Sequence, residues 1–116
     1  MERRFRLRRP GDVRRVYQVG RSWSHSLLTV VAHPNHVSFT RIGVAASRRI
    51  GKAVARNRAK RLLREAARRL YPQITPGWDL MLIARPAILQ AKEPQVETAL
   101  TTLLETANLD VSIAPT

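Results

Sequence analysis

Basic side chains recur through residues 53–70 at a spacing that would place most of them on one side of a helix. The stretch holds seven Lys and Arg residues and one acid, Glu65. At about 100° per residue, the cationic side comprises Arg56, Asn57, Lys60, Arg61, Arg64 and Arg68, with Arg58 and Arg69 on a flank. The opposite side is apolar and comprises Ala55, Ala59, Leu62, Leu63, Ala66 and Leu70. The chemistry available to such a row of cations is the neutralisation of a polyanion.

Like charges would meet at i,i+4 spacing along this row, at positions 56/60, 60/64 and 64/68, and each such pair is mildly unfavourable. Solvated helix faces normally mix the two signs. Phosphates laid along the row would reverse these repulsions and release counterions. Asn57 is a weaker helix former than its neighbours, and its amide can donate and accept toward a ribose or a base edge. The pattern favours a nucleic-acid partner, with a merely solvated face as the alternative.

The other reactive residue types do not form a catalytic set. His25, His33 and His36 cluster around the two early strands and the turn between them, with no carboxylate near them in sequence, so we expect surface or turn positions rather than acid–base catalysis. The chain has no cysteine, which excludes disulfides, thiolate metal sites and a cysteine nucleophile. The sequence also lacks the clustered carboxylates of a two-metal nuclease. A self-sufficient nuclease is therefore the least favoured class.

Charge is distributed unevenly along the 116 residues, whose net charge is +13. Residues 1–70 hold 19 of the 21 Lys and Arg residues and three of the eight acids, a net +16, whereas residues 71–116 carry a net −3. A basic lobe indicates a polyanion partner, with nucleic acid favoured over an anionic membrane surface. No window approaches the roughly 18 apolar residues of a membrane span and no signal peptide is recognisable, so we expect a cytoplasmic protein.

Length, apolar patterning and helix start and stop signals predict a single domain over 1–116. In chain order, the predicted elements are a basic, extended arm (1–9), a short helix (10–20), two strands (26–33 and 37–47), a long helix (52–70), a strand covered on both faces (78–84), a helix (92–107) and a loose tail (108–116). The first two strands read as an antiparallel hairpin, and Gly43 marks a bulge or a close approach. The fold class is α+β, a single-domain α/β sandwich in the order α-β-β-(β)-α-β-α, where the bracketed strand is optional.

An ordered series of short blocks resembles the signature of the bacterial ribonuclease P protein component family. The blocks are Arg41-Ile42-Gly43-Val44, Ser47-Arg48-Arg49-Ile50-Gly51, Ala53-Val54, Arg56-Asn57-Arg58, Lys60-Arg61 and Leu63-Arg64-Glu65. Arg6-Leu7-Arg8, with Asp12, Val16, Tyr17 and Gly20, resembles the family's first helix, and residues 79–86 resemble its last strand and exit. The resemblance covers about residues 6 to 105.

This resemblance implies a role in the removal of the 5′ leader from precursor tRNA. Members of the family bind a large catalytic RNA, which hydrolyses the phosphodiester bond with Mg²⁺ held mainly by the RNA. The implied partners are ribonuclease P RNA and precursor tRNA, with no membrane and no DNA. The protein would contribute no catalytic residue of its own. The implied fold has a central mixed sheet and a left-handed β-α-β crossover through the basic helix, whereas general physics alone favours the right-handed connection.

The resemblance also implies two RNA-binding surfaces on this chain. The surface that would bind the RNA subunit comprises Arg56, Asn57, Arg58, Lys60, Arg61, Arg64 and Arg68, with RNA-linked Mg²⁺ near Asn57 and Arg58. The cleft that would hold the precursor-tRNA leader comprises Val13, Arg14, Tyr17, Phe39, Arg41, Ser47 and Arg48. Tyr17 and Phe39 are candidate stacking platforms, with ordinary core packing as the alternative for both.

The chain departs from the family pattern mainly at aromatic positions. The family often has Phe where this chain has Val13 and commonly His where it has Val19, and residues 27–32 offer no aromatic in the first strand. A weaker stacking surface is therefore expected in the leader cleft. Two rival functions are a basic ribosomal-type protein with no processing role and a DNA-binding regulator. The second is disfavoured because the sequence lacks a tight helix–turn–helix and the basic helix indicates broad phosphate coverage.

Overall fold

The computed structural model of the protein describes residues 2–110. Its three α-helices are α1 (Pro10–Val19), α2 (Ala53–Leu70) and α3 (Glu93–Thr106). Its four strands are β1 (Arg21–Ser24), β2 (Leu28–Pro34), β3 (Arg41–Ala45) and β4 (Trp78–Ala84). Short 3₁₀ turns lie at Arg3–Phe5, Arg48–Ile50, Tyr71–Gln73 and Pro86–Gln90. The predicted helices are confirmed, and no helix of the described chain is long and apolar enough to cross a membrane.

The four strands form one mixed sheet in the order β1-β2-β4-β3. β4 lies between β2, to which it is antiparallel, and β3, to which it is parallel. The predicted hairpin of the two early strands is therefore wrong, because these strands flank β4 instead of pairing with each other. Five of the seven β4 residues are buried. A strand that is apolar on both faces buries the most apolar surface when it lies in the middle of the sheet.

The strand that pairs with β2 from the other side is β1, which was not predicted: it precedes the two early strands, whereas the bracketed strand was expected after them. It is antiparallel to β2, with Ser22 opposite Val31 and Ser24 opposite Thr29. Its sequence, Arg-Ser-Trp-Ser, has little of the apolar character that identifies a strand, although its alternation places Trp23 against the core.

The connection from β3 to β4 runs through α2, so the basic helix is the crossover between two neighbouring parallel strands. α2 and α3 pack on one face of the sheet around the main core, which includes Leu63, Leu82 and Leu104. α1 packs on the other face, where Val16 joins a smaller cluster. This arrangement confirms the mixed sheet, while the left-handed sense of the crossover stays a prediction.

The N-terminal arm is more structured than its composition predicts. Leu7 is buried in the small core under α1, its amide donates to the Ile42 carbonyl at 3.0 Å, and Arg6 forms a parallel bridge with Ile42. The arm therefore covers part of β3, the edge strand of the sheet, and protects its unpaired backbone groups.

The chain after α3 also differs from the predicted loose tail at its start. Leu109 is buried and its carbonyl accepts a hydrogen bond from the Thr75 amide at 2.8 Å. Asp110 forms a bridge with Ile74. Residues 108–110 are thus packed against the segment that leads into β4, because Leu109 supplies apolar surface that the core can bury. The rest of the predicted tail, 111–116, lies outside the described residues.

Candidate nucleic-acid interface

The apolar side of α2 packs on the sheet as its spacing predicts. Ala59, Leu63, Ala66 and Leu70 are buried, and Ala67 joins them. Ala55 and Leu62 pack at the edge of the same core. The burial of this side orients the whole helix and turns the opposite side outward. Asn57, Arg58, Arg61, Arg64 and Arg68 are exposed there, while Arg56 and Lys60 are partly buried.

Glu65 neutralises only one end of this cationic side. Its carboxylate accepts from Arg68 Nε at 3.2 Å and from Arg69 Nε at 3.2 Å. The hydrogen bond from Arg68 is the main reason that the pKa of Glu65 is lowered. None of the ion pairs found among residues 2–110 involves Arg56, Arg58, Lys60, Arg61 or Arg64. Most of the row therefore remains available to an external anion.

A second candidate surface lies where α1 crosses the sheet. Val16 is buried against Val31 and Met81, and Val13 packs at the side of this cluster. Tyr17, one residue further along α1, is 47% exposed, and partial burial raises its pKa. Arg14 is exposed on the same helix. Tyr17 is thus an aromatic side chain with about half of its surface accessible, on the helix that packs on the sheet, as a stacking platform requires.

The sheet contributes a row of side chains to this surface that the sequence analysis did not identify. Thr29, Ile83 and Ala45 are paired across β2, β4 and β3, and all three are only partly buried. They share the α1 side of the sheet with the Val31–Met81 pair, because strand residues two apart point to the same face. Ser24 extends the row on β1. Strand alternation was the signal available in the sequence, but it required the strand pairing to be known.

Phe39 lies away from Tyr17, at the other end of α1. Its ring packs edge-on against Phe5 with centroids 5.5 Å apart, and Phe5 packs against Tyr71 at 4.8 Å. A groove beside it is lined by Arg9, Pro10, Asp12, Arg41 and neighbouring arm residues. Phe39 is therefore part of an aromatic cluster near the start of α1, which agrees with the packing alternative for this residue.

Arg41 is held by carboxylates within the protein. It binds Asp79 bidentately, with Nε–Oδ1 and Nη2–Oδ2 distances of 2.7 Å each, and its Nη1 lies 3.3 Å from Asp12 Oδ2. The hydrogen bond to Asp79 is the main cause of its raised pKa. Asp79 is buried and also accepts from Asn35. Arg41 thus links α1 to the sheet, and its charge is largely compensated within the protein.

Ser47 and Arg48 follow the end of β3 and open the short turn before α2. The Ser47 hydroxyl accepts a hydrogen bond from the Arg49 amide at 3.3 Å, which caps that turn. The Arg48 side chain is exposed. The structure therefore places Arg48 just beyond Ala45, at one end of the partly buried sheet row.

The remaining polar residues do not form a metal site within the described chain. No group of three His, Cys, Asp or Glu side chains is arranged to hold a metal among residues 2–110. Asn57 offers a single neutral oxygen among cations, whereas Mg²⁺ requires near-octahedral oxygen ligands. The protein side chains near Asn57 and Arg58 therefore do not fit a magnesium site of their own. His25 Nδ1 accepts from the Leu27 amide and so helps to shape the turn before β2.

Comparison with known proteins gives one consistent family. The family model described as Ribonuclease P matches residues 1–108. The ribonuclease P protein component of Roseiflexus castenholzii is 44% identical over 110 residues, which is 94% of this chain and 90% of that protein. The component from Herpetosiphon aurantiacus is also 44% identical, over 94% of this chain and 89% of its own length.

Solved structures agree with the sequence relatives. The Staphylococcus aureus RNase P protein superposes with a TM-score of 0.81 at 27% identity, covering 91% of this chain and 97% of that one. The Thermotoga maritima RNase P protein superposes with a TM-score of 0.78 at 30% identity, covering 87% of this chain and 96% of that one. Together with the exposed cationic side of α2, these matches show that the chain belongs to the ribonuclease P protein component family.

Proposed function

We propose that this chain binds the ribonuclease P RNA through the cationic side of α2 and holds the 5′ leader of precursor tRNA in the cleft between α1 and the sheet. As a member of its family, the chain is a subunit of an endoribonuclease complex that processes tRNA and contains an RNA subunit. The two surfaces and their ligands are the parts that we infer for this protein.

The observation that carries the RNA-subunit surface is the uncompensated row on α2. Arg58, Arg61 and Arg64 are exposed, and none of them belongs to an ion pair found in the described chain. Each phosphate that they contact would release condensed counterions, which favours binding and makes it salt-dependent. The seven side chains of this surface are Arg56, Asn57, Arg58, Lys60, Arg61, Arg64 and Arg68.

The exposed and partly buried side chains beside α1 support the second part of the proposal. Tyr17 supplies an exposed aromatic ring, Arg14 and Arg48 supply charge, and the partly buried row through Thr29 and Ile83 supplies a floor. Single strands bind where stacking faces line a positive groove. Arg41, being bound to Asp79, acts in this proposal by positioning α1 over the sheet. Val13 and Ser47 shape the cleft, and Phe39 supports it from the aromatic cluster.

The protein's chemical contribution in this proposal is electrostatic. Its cations lower the repulsion between the phosphates of the RNA subunit and those of the substrate, and the cleft holds the leader beside them. In this proposal the RNA subunit carries out hydrolysis and no side chain of this protein is a catalyst; Mg²⁺ would be held mainly by the RNA, because the side chains near Asn57 and Arg58 do not fit a magnesium site of their own. RNA, and neither DNA nor a membrane, is the polyanion that we infer, and the complex acts in the cytoplasm.

Reconstitution with a bacterial ribonuclease P RNA tests this function. Added protein should restore leader cleavage of precursor tRNA at Mg²⁺ concentrations at which the RNA alone is inactive. The measurement is the single-turnover cleavage rate across a Mg²⁺ titration. If the protein binds the RNA but cleavage is no faster than with RNA alone, the ribosomal-type alternative would be favoured instead.

A further inference from the structure

The N-terminal arm and α2 enclose a second concave site beside the cationic row. A cavity of about 440 Å³ lies between them and is bordered by the edge strand β3. Its lining comprises Arg6, Leu7, Arg8, Ile42, Gly43, Val44, Arg61, Arg64, Glu65 and Arg68. We name this site the arm–helix pocket. It combines the arm, which belongs to neither proposed surface, with residues already assigned to the RNA-subunit surface.

The arm is held so that two of its arginines border the pocket. Leu7 is buried on the α1 side of the sheet, and Arg6 and Arg8, the residues on either side of it, are exposed and line the cavity. Gly43 permits this approach, since a Cβ at position 43 would lie 2.9 Å from the Leu7 carbonyl oxygen and 2.6 Å from Met81 Sδ. The position of Arg6 and Arg8 is therefore fixed by the packing of Leu7 between them.

The charges that surround the pocket are mostly uncompensated. Arg6, Arg8, Arg61 and Arg64 take part in none of the ion pairs found among the described residues. Glu65, the acid in the lining, already binds Arg68 and Arg69. Four guanidinium groups around one concavity repel one another, and an anion between them would remove that cost.

The shape and floor of the pocket indicate more than a bare phosphate. A volume of about 440 Å³ lies in the range typical of small-molecule sites and can admit a nucleobase together with its phosphate. Ile42 and Val44, on the side of β3 that faces α2, form an apolar floor. Unpaired RNA bases are commonly bound by contact with flat or apolar surfaces and with arginine planes.

We propose that the arm–helix pocket binds one unpaired nucleotide of the RNA subunit, with its phosphate on Arg6, Arg8, Arg61 and Arg64 and its base over Val44. This rests on the proposed function, because the pocket shares Arg61, Arg64 and Arg68 with the surface assigned to the RNA subunit. It extends that surface from the helix to the arm and to the edge of the sheet.

The charge in the pocket is tested by Arg6→Gln and Arg8→Gln, with Arg21→Gln as a matched control. Arg21 is exposed on β1, at the opposite edge of the sheet. Each pocket variant should bind the RNA subunit about tenfold more weakly and lower the slope of log affinity against log salt by about one. Circular dichroism checks that the variants fold. Equal effects from Arg21→Gln would overturn the proposal that this pocket binds the RNA subunit specifically.

The nucleotide itself is tested by cross-linking from the pocket floor. Because the chain has no cysteine, Val44→Cys introduces a unique thiol that can carry a short photo-reactive group. In the assembled complex it should label one unpaired position of the RNA subunit, and Arg8→Gln should reduce that product. Thr102→Cys, on the exposed side of α3, is the control and should give little product.

The outcomes separate this proposal from the proposed function. Labelling of precursor tRNA instead of the RNA subunit, or scattered labelling that Arg8→Gln does not change, would overturn the pocket proposal. If leader cleavage is still restored by the wild-type protein in that case, the proposed function stands and the pocket assignment alone fails.

Discussion

At the scale of single residues, the pair formed by Arg41 and Asp79 decides how α1 meets the sheet. Asp79 is buried and accepts both hydrogen bonds of the Arg41 guanidinium, and Arg41 also reaches Asp12 on α1. The same contacts remove Arg41 from the set of free cations. A residue that the family pattern places in a binding cleft thus has a structural task in this geometry.

Asp79→Asn should destabilise the fold, because Arg41 would lose its bidentate carboxylate partner and keep only the 3.3 Å contact with Asp12. We expect a loss of roughly 2 kcal/mol in the free energy of unfolding, since breaking one side of a largely buried pair leaves its charge only partly compensated. Urea denaturation followed by circular dichroism measures it. Glu105→Gln, a matched acid-to-amide change at an exposed position of α3, should alter stability little. A similar small change for Asp79→Asn would contradict this role.

Tyr17 is the residue on which leader recognition depends in the proposed function. Tyr17→Ala should weaken binding of precursor tRNA to the assembled complex by roughly tenfold, the value of one lost base stack, and leave mature tRNA binding unchanged. Affinities for both tRNAs and for the RNA subunit are the required measurements. Val19→Ala, an exposed change on the same helix, is the control. Equal losses for every ligand would indicate a packing role instead.

At the scale of elements, α2 combines a core-facing side with an exposed cationic side that contains one internal counter-charge. Glu65 pairs with Arg68 and Arg69 and so withholds two cations from an incoming RNA. Glu65 therefore reduces the repulsion between the cations of α2 and, by the same contacts, lowers the affinity of the helix for RNA.

Glu65→Gln should release Arg68 for phosphate contacts, whereas Arg69 keeps an ion pair with Glu93 at 3.7 Å. We expect tighter binding of the RNA subunit and a salt slope that is steeper by about one for each cation that gains a phosphate contact. Affinity measured across a salt series tests this, with Glu105→Gln on α3 as the control. Unchanged affinity and slope would show that Arg68 lies outside the interface.

The contact between the arm and β3 makes a separate prediction. Gly43→Ala would place a methyl group against the Leu7 carbonyl and Met81, so the arm must move or the strand must shift. We expect a loss of roughly 1–3 kcal/mol in the free energy of unfolding, as for other overpacked sites, together with weaker RNA-subunit binding through Arg6 and Arg8. Gly11→Ala, where a Cβ meets nothing within 4 Å, should have a much smaller effect on both. Equal stabilities for the two variants would contradict the close approach.

At the scale of the whole molecule, charge changes across the sheet. The arm, β3 and α2 form a basic edge, whereas α3, nearer to β1 and β2, carries Glu93, Glu97 and Glu105 among threonines. The electrostatic field of the protein is therefore directional, and the complex should form in one orientation.

This directionality predicts that added charge matters only at the basic edge. Thr98→Lys together with Thr102→Lys adds two cations on the exposed side of α3. At physiological salt the Debye length is about 8 Å, so affinity for the RNA subunit should change by less than about twofold. An equilibrium binding assay at that salt concentration checks this. A tenfold gain would indicate that total charge, and not its location, governs binding.

Much of the architecture followed from local patterns. The spacing of Ala59, Leu63 and Ala66 set the buried side of α2 and thereby its cationic side, because a helix has a fixed angular period. The blocks around Arg56-Asn57-Arg58 identified the family. Strand pairing could not be predicted in this way. Both partners of β4 lie more than 30 residues away in the chain, and local patterning does not specify which strands will pair.

The sequence by itself determined the three helices, the cationic row on α2 and the family to which the chain belongs, since each depends on residue types at short, regular spacings. Only the tertiary structure decided that β4 separates β2 from β3, that Asp79 binds Arg41, and that Arg6 and Arg8 join α2 around a pocket. These features bring together residues far apart in the chain. Their positions depend on how the whole core packs, which no local spacing encodes.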